Sequence, residues 1–296
     1  MIKLGFSSLV CPGWTLETIV TNAAAMGFDG VELRGIRGEL ELPLVSELAG
    51  NPDRTRTLFQ DNNVQLVCLG ASATLDAKDP RKLAKSKATL IEFIELAEAV
   101  ACPFVRFFLG EVGRFDRRSS VLARVTDALC SLAPIAQRHG VTLLVENGGD
   151  FPGSGDLWHL LDAVGHPSVL CCWNQCHALT TGERPTNSIP RLGNKIGLVH
   201  LCDAAFDERG VLMEYRPLGE GNAEIATQVM LLRGQVYSRY AVFEWPKLWD
   251  SSLPDPETVL PTAVKFLRER VEEKQAVLSA YKGDKYAPRY ASPPVS

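Results

Sequence analysis

Val141-Thr142-Leu143-Leu144-Val145-Glu146 is an apolar run that ends in one carboxylate and passes into the turn Asn147-Gly148-Gly149. A strand of a parallel sheet reads this way, because both faces are covered and little alternation survives. The closing glutamate is the odd residue, since a charge at such a place needs a partner or a metal. The same grammar recurs three times. Val169-Leu170-Cys171-Cys172-Trp173 ends in Asn174, Ile196-Gly197-Leu198-Val199 ends in His200, and Ala241-Val242-Phe243 ends in Glu244. Four consecutive strands thus each finish in a side chain able to ligate a metal.

Earlier runs supply four more strands, at residues 3–7, 30–34, 64–69 and 104–108. Between the strands apolar residues recur at helical spacing, as Leu83, Leu90, Ile94 and Ala97 do. Helices are expected after a Thr15 cap, over 44–61 with an interruption near Gly50-Asn51-Pro52, and over 80–100 and 119–138. Further helices are expected over 156–164 with Asp156 as the cap, and over 186–192, 223–233 and 256 to about 278. A polar loop carrying Pro217-Leu218-Gly219-Glu220-Gly221 joins the seventh strand to its helix. Eight strands alternating with eight helical segments make an α/β chain, a single (β/α)8 TIM barrel. A doubly wound sheet would carry a G-x-G-x-x-G first turn, whereas strand one here runs into Ser7-Ser8-Leu9-Val10. The barrel is expected to take residues 1–282. Residues 283–296, with Pro288, Pro293 and Pro294 and no hydrophobic period, read as a short irregular C-terminal tail or arm.

With 46% hydrophobic and 22% charged residues over 296 positions, the composition is that of a globular chain with a sizeable core. A net charge of −4 speaks against a protein built to grip nucleic acid. The N-terminus lacks a signal-type apolar region and no run approaches a membrane span, so a cytoplasmic protein without a membrane partner is expected. Most of the eight cysteines sit in apolar runs and read as buried thiols of a reducing compartment.

In a barrel the C-terminal strand ends converge on one mouth, where chemistry is done. Glu146, Asn174, His200 and Glu244 end strands five to eight there. Two carboxylates, an imidazole and an amide oxygen suit one divalent ion, Mn²⁺, Mg²⁺, Co²⁺ or Zn²⁺, rather than a soft metal. Arg106 and Arg216 could bind a carboxylate or phosphate of a substrate, while Glu32 and Arg34 read as a pair with each other. Trp14, Trp245 and Trp249 could stack on a sugar or pack under loops. Cys176 and Cys202 flank His177 and His200, but without a C-x-x-C pair a thiolate zinc site is disfavoured.

Phe28-Asp29-Gly30-Val31-Glu32-Leu33-Arg34, Val145-Glu146-Asn147, Leu198-Val199-His200-Leu201-Cys202-Asp203, Leu218-Gly219-Glu220-Gly221 and Phe243-Glu244-Trp245 together carry a resemblance. The chain resembles the xylose isomerase-like barrel superfamily, in particular its sugar phosphate isomerase/epimerase group, with endonuclease IV, tagatose epimerases and inosose dehydratase as relatives. The resemblance implies that Glu146, Asn174, His200 and Glu244 are metal ligands and that His177 lies near the substrate. It also implies isomerisation or epimerisation of a small sugar, keto-sugar or polyol through an enediolate, with Glu146 and Glu244 as acid and base. Dehydration is the sibling reaction. A homo-oligomer remains open.

Two positions depart from the pattern. Asn174 stands where the family ordinarily has Asp, so the ligand set carries two negative charges rather than three. Gly148 stands where relatives often have histidine. A non-catalytic member with a weakened metal site is therefore the alternative. The endonuclease reading needs many histidines, and of the five here His139, His159 and His166 lie away from strand ends.

Overall fold

In the computed structural model, which describes residues 1–272, the apolar runs pair edge to edge until no edge is left. The strands are β1 (Lys3–Ser7), β2 (Gly30–Leu33), β3 (Gln65–Gly70), β4 (Phe104–Phe108), β5 (Thr142–Glu146), β6 (Val169–Asn174), β7 (Ile196–Leu201), β8 (Asp203–Phe206), β9 (Leu212–Arg216) and β10 (Tyr240–Phe243). Eight of them close a parallel barrel in the order β1-β10-β7-β6-β5-β4-β3-β2. Helices α1 (Leu16–Met26), α2 (Ser46–Ala49), α3 (Pro52–Asp61), α4 (Pro80–Ala99), α5 (Arg118–Arg138), α6 (Ser154–Val164), α7 (Gln175–Leu179), α8 (Pro185–Leu192), α9 (Ile225–Gly234) and α10 (Pro256–Glu272) lie between and after them.

The termini are set locally. Thr15 Oγ1 accepts from the Thr18 amide to start α1, and Gly27 ends it at φ +81°, a conformation that costs glycine little. Asn51 and Asp79 cap α3 and α4, each followed by proline at the first helical position. At Gly30 a Cβ would lie 2.4 Å from Val67 Cγ2 and 2.9 Å from the Gln65 carbonyl, so β2 reaches β3 only because no side chain intervenes.

Two apolar clusters result. The larger packs the outward strand faces against the helices; the smaller, with Cys68, Leu144, Cys172, Leu198 and Val242, fills the barrel interior. Position parity then places Glu32, Arg106, Glu146, Asn174, His200 and Glu244 on the interior side as well.

Three expectations need correction. The stretch after β7 is not a simple polar loop: β8 and β9 pair antiparallel, Asp203 opposite Arg216, and Leu218-Gly219-Glu220-Gly221 follows them. Gln175 to Leu179 forms the short α7 where no helix was expected. Gly153, not Asp156, is the N-cap of α6; Asp156 lies in the first helical turn and pairs with Arg118. Residues 273–296, which include the expected end of the last helix and the 283–296 tail, lie outside the described residues. Among the described residues no helix is long and apolar enough to cross a membrane.

Candidate active site

Six strands, not all of them neighbours, send side chains to one point inside the barrel. His200, from β7, stands between two carboxylates: Nε2 is 2.6 Å from Glu32 Oε2 of β2, and Nδ1 is 2.8 Å from Glu146 Oε1 of β5. Glu244 Oε1, just past β10, lies 3.6 Å from the same Nδ1. Asn174, at the end of β6, donates from Nδ2 to Glu244 Oε2 at 2.8 Å and to Glu146 Oε1 at 3.4 Å. Arg106, from β4, closes the set, with one nitrogen 3.1 Å from Glu32 Oε1 and Nε 3.1 Å from Glu146 Oε2. Glu32, Glu146 and His200 are fully buried, whereas the Glu244 side chain keeps 14% exposure.

Such burial costs each charge its hydration, and the cluster offsets the cost with opposite charges. Burial alone would remove the proton of His200, but Cys172, Glu32, Glu146 and Glu244 together raise its pKa well above the usual 6.5. Burial alone would raise the Glu146 carboxyl; His200 and Arg106 outweigh it and hold it at about 2. Glu32 is held below its ordinary value in the same way. Glu244 goes the other way, raised by burial and by the Glu146 charge. Two facing carboxylates are thereby driven apart in acidity.

Some backbone is pinned for this purpose. Asn147 accepts the Asn174 amide on Oδ1 at 2.8 Å and donates to the Asn174 and Pro152 carbonyls, locking the ends of β5 and β6 together. The Asp203 carboxylate accepts the amides of Ala204, Gly219, Gly221 and Ala223 at 2.8–3.1 Å, which draws the Leu218–Gly221 turn to the end of β7.

The structure thus brings together Glu146, Asn174, His200 and Glu244. His177 lies close by, its Nδ1 2.6 Å from the Asn147 carbonyl and its ring 6.1 Å from that of Phe108. Because a carbonyl only accepts, Nδ1 is the donor in that contact, which fixes the orientation of the ring.

Other expected residues are placed differently. Arg106 is 1% exposed and serves the two glutamates rather than a surface anion site. Arg216 is 43% exposed on β9 and pairs with Glu214, outside the cluster, because the hairpin turns it toward solvent. Trp14 is half-buried against the core. Trp245 is buried with its indole N–H on the Pro254 carbonyl, and Trp249 is exposed beneath the Arg34 guanidinium. Arg34 does not pair with Glu32; it donates to the Gly70 carbonyl and to Ser72 Oγ. Burial and the nearby Arg106 charge pull its pKa down to about 10. Glu32 as a partner of His200 escaped the sequence reading. The available signal was its place near the C-terminal end of β2, in register with Ser7 of β1 and Cys68 of β3.

A model of the xylose isomerase-like TIM barrel family matches residues 20–270. The chain belongs to that family. No curated protein matches the sequence. Among solved structures, an L-ribulose 3-epimerase superposes with a TM-score of 0.78 at 18% identity, covering 97% of this chain and 100% of that one. The IOLI protein with a bound zinc atom gives 0.78 at 16%, covering 92% and 99%. The probable 3-DHS dehydratase AsbF of petrobactin synthesis from Bacillus anthracis gives 0.74 at 18%, covering 90% and 98%.

The donor set fits the divalent ion that the sequence suggests. His200 Nδ1, Glu146 Oε1 and the Glu244 carboxylate face one another, and Glu32 on Nε2 is the outer carboxylate that a ligating imidazole ordinarily has. Glu146 turns Oε1 toward His200 Nδ1 and Oε2 toward Arg106 Nε at 3.1 Å, so Oε1 is the oxygen on the side of the donor set. Glu146, Cys172 and His200 also offer ligand atoms within 4.8 Å of one another. Asn174 fits least well: its Oδ1 accepts from the Cys176 amide at 3.1 Å, which leaves N–H facing the carboxylates.

Proposed function

We propose that this protein is a divalent-metal-dependent isomerase or epimerase of a small sugar, keto-sugar or polyol. The supporting observation is the pair of carboxylates, Glu146 and Glu244, that meet at one imidazole on the C-terminal ends of the barrel strands. Glu146, Asn174, His200 and Glu244 would hold the ion. When bound, it supplies Lewis acidity toward the carbonyl and adjacent hydroxyl oxygens of the substrate.

The chain's own groups would do the rest. Glu244, partly exposed and raised above the ordinary carboxylate range by burial and the Glu146 charge, is the more readily protonated of the two, and its Oε2 is fixed by Asn174. Glu146, kept ionised by His200 and Arg106, is the complementary base. One carboxylate removes the proton next to the carbonyl and the other returns it to the enediolate. His177 Nε2 would hydrogen-bond a substrate hydroxyl, and Phe108 would wall the mouth beside it. Loss of a β-hydroxyl from the same enediolate would give dehydration instead.

The test is incubation of the Mn²⁺-loaded protein with a panel of ketopentoses and ketohexoses in D₂O. Deuterium incorporation at the carbon next to the carbonyl, lost in Glu146→Gln and Glu244→Gln, supports the reading. No exchange with any sugar of the panel overturns it. The inward N–H of Asn174 favours a second reading, a family member with a weakened metal site that binds without catalysis. Metal analysis separates the two, since the first requires about one divalent ion per chain.

A further inference from the structure

Cys176 lies in α7, two residues after Asn174, and Cys202 lies two residues after His200, just past β7. Their sulfurs are 3.0 Å apart. Both side chains are buried, and Cys176 Sγ also donates to the Cys202 carbonyl at 2.8 Å. The proposed chemistry uses neither thiol. Among the described residues no further metal-binding side chain completes a site around the pair, so a thiophilic metal site is not supported. What two thiols at this separation can do is bond: a disulfide needs about 2.05 Å, a closure of roughly 1 Å.

We propose that Cys176 and Cys202 are a reversible disulfide site that clamps α7 to the end of β7. The oxidant is a low-molecular-weight disulfide. One cysteine sulfur, losing its proton, attacks the oxidant and releases one small thiol, forming a mixed disulfide. The second cysteine sulfur, also losing its proton, displaces the other small thiol and forms the Cys176–Cys202 bond. Two electrons and two protons pass to the oxidant, which leaves as two thiols. The clamp reaches the candidate site through the backbone. Asn174 Oδ1 accepts from the Cys176 amide, so fixing Cys176 fixes Asn174 with its N–H toward Glu146 and Glu244. To offer its oxygen inward, Asn174 must release that amide. The effect on a metal rests on the function proposed above; the bond itself does not.

The test uses the full chain with Cys130→Ser, because Cys130 is exposed and would form adducts of its own. Excess cystamine should remove two thiols, and peptide mapping should link Cys176 to Cys202; Cys176→Ser and Cys202→Ser should each abolish the link. Backbone amides of α7 should exchange hydrogen more slowly in the oxidised protein. Mn²⁺ should bind it about tenfold more weakly by calorimetry, with recovery on adding dithiothreitol. A bond mapped elsewhere, or none, overturns the site. A correct bond with unchanged α7 exchange overturns the clamp. If the reduced protein binds no Mn²⁺, the metal reading fails, and the mapping and exchange results still decide the disulfide.

Discussion

Asn174 is the residue on which the metal question turns. Its amide now donates to one carboxylate at 2.8 Å and faces another at 3.4 Å. Asn174→Asp would set a third carboxylate against these two. The metal-free variant should therefore be less stable, by on the order of 2 kcal/mol, while its Mn²⁺ affinity should rise roughly tenfold or more. Melting with and without Mn²⁺, together with calorimetry, checks both signs; an unchanged affinity removes Asn174 from the ligand set. Glu146 gives a pH signature. Its carboxyl drops from an ordinary 4.5 to about 2 on folding, so the stability it contributes is complete above 4.5 and is lost as pH falls toward 2. In metal-free buffer the stability gap between wild type and Glu146→Gln should be widest at neutral pH and shrink across that window. A gap independent of pH would show that His200 and Arg106 do not hold Glu146 ionised.

At the scale of elements, Asp203 ties the hairpin of β8 and β9 and the following turn to the mouth. One carboxylate accepts four backbone amides, and a Cβ on Gly221 would lie 2.2 Å from its Oδ1. Asp203→Asn puts N–H groups against N–H groups, and should cost about 1–3 kcal/mol locally. Faster hydrogen exchange and earlier proteolysis over residues 203–224, with the barrel strands unaffected, are the expected results. The two motifs joined here, one ending in Asp203 and one spanning Leu218–Gly221, were visible in the sequence, but their contact was not. The hairpin was missed for a physical reason. Its strands carry Asp203, Glu214 and Arg216, its turn carries Asp207, Glu208 and Arg209, and much of β9 is exposed, so no buried run marks it. The bounds of β1 and β4 were legible because each is a short, largely buried run between turn residues. The same holds for the β5 run that ends in Glu146.

For the molecule as a whole, the alternation of strand and helix was enough to specify a closed barrel, because nearest neighbours in the chain became neighbours in the ring. The interior charge network was not legible in that way. Arg106 reaches Glu32, 74 positions earlier, and His200 reaches Glu32 across 168. Only closure of the ring brings β2, β4, β5 and β7 within reach of one another. Sequence proximity therefore paired Glu32 with Arg34 and left Arg106 for a substrate, and both assignments fail for the same reason. The network makes a prediction about the entire fold. Arg106→Met keeps most of the side-chain volume but strips Glu32 and Glu146 of the guanidinium that contacts both buried charges. Removing one partner of a buried pair costs about 3–5 kcal/mol, so denaturant unfolding of the metal-free variant should shift by that amount. Adding Glu32→Gln removes one of the stranded charges, and the double variant should recover part of the loss. If the two substitutions are instead additive, Arg106 and Glu32 are not coupled, and the guanidinium is not what keeps three carboxylates inside one barrel.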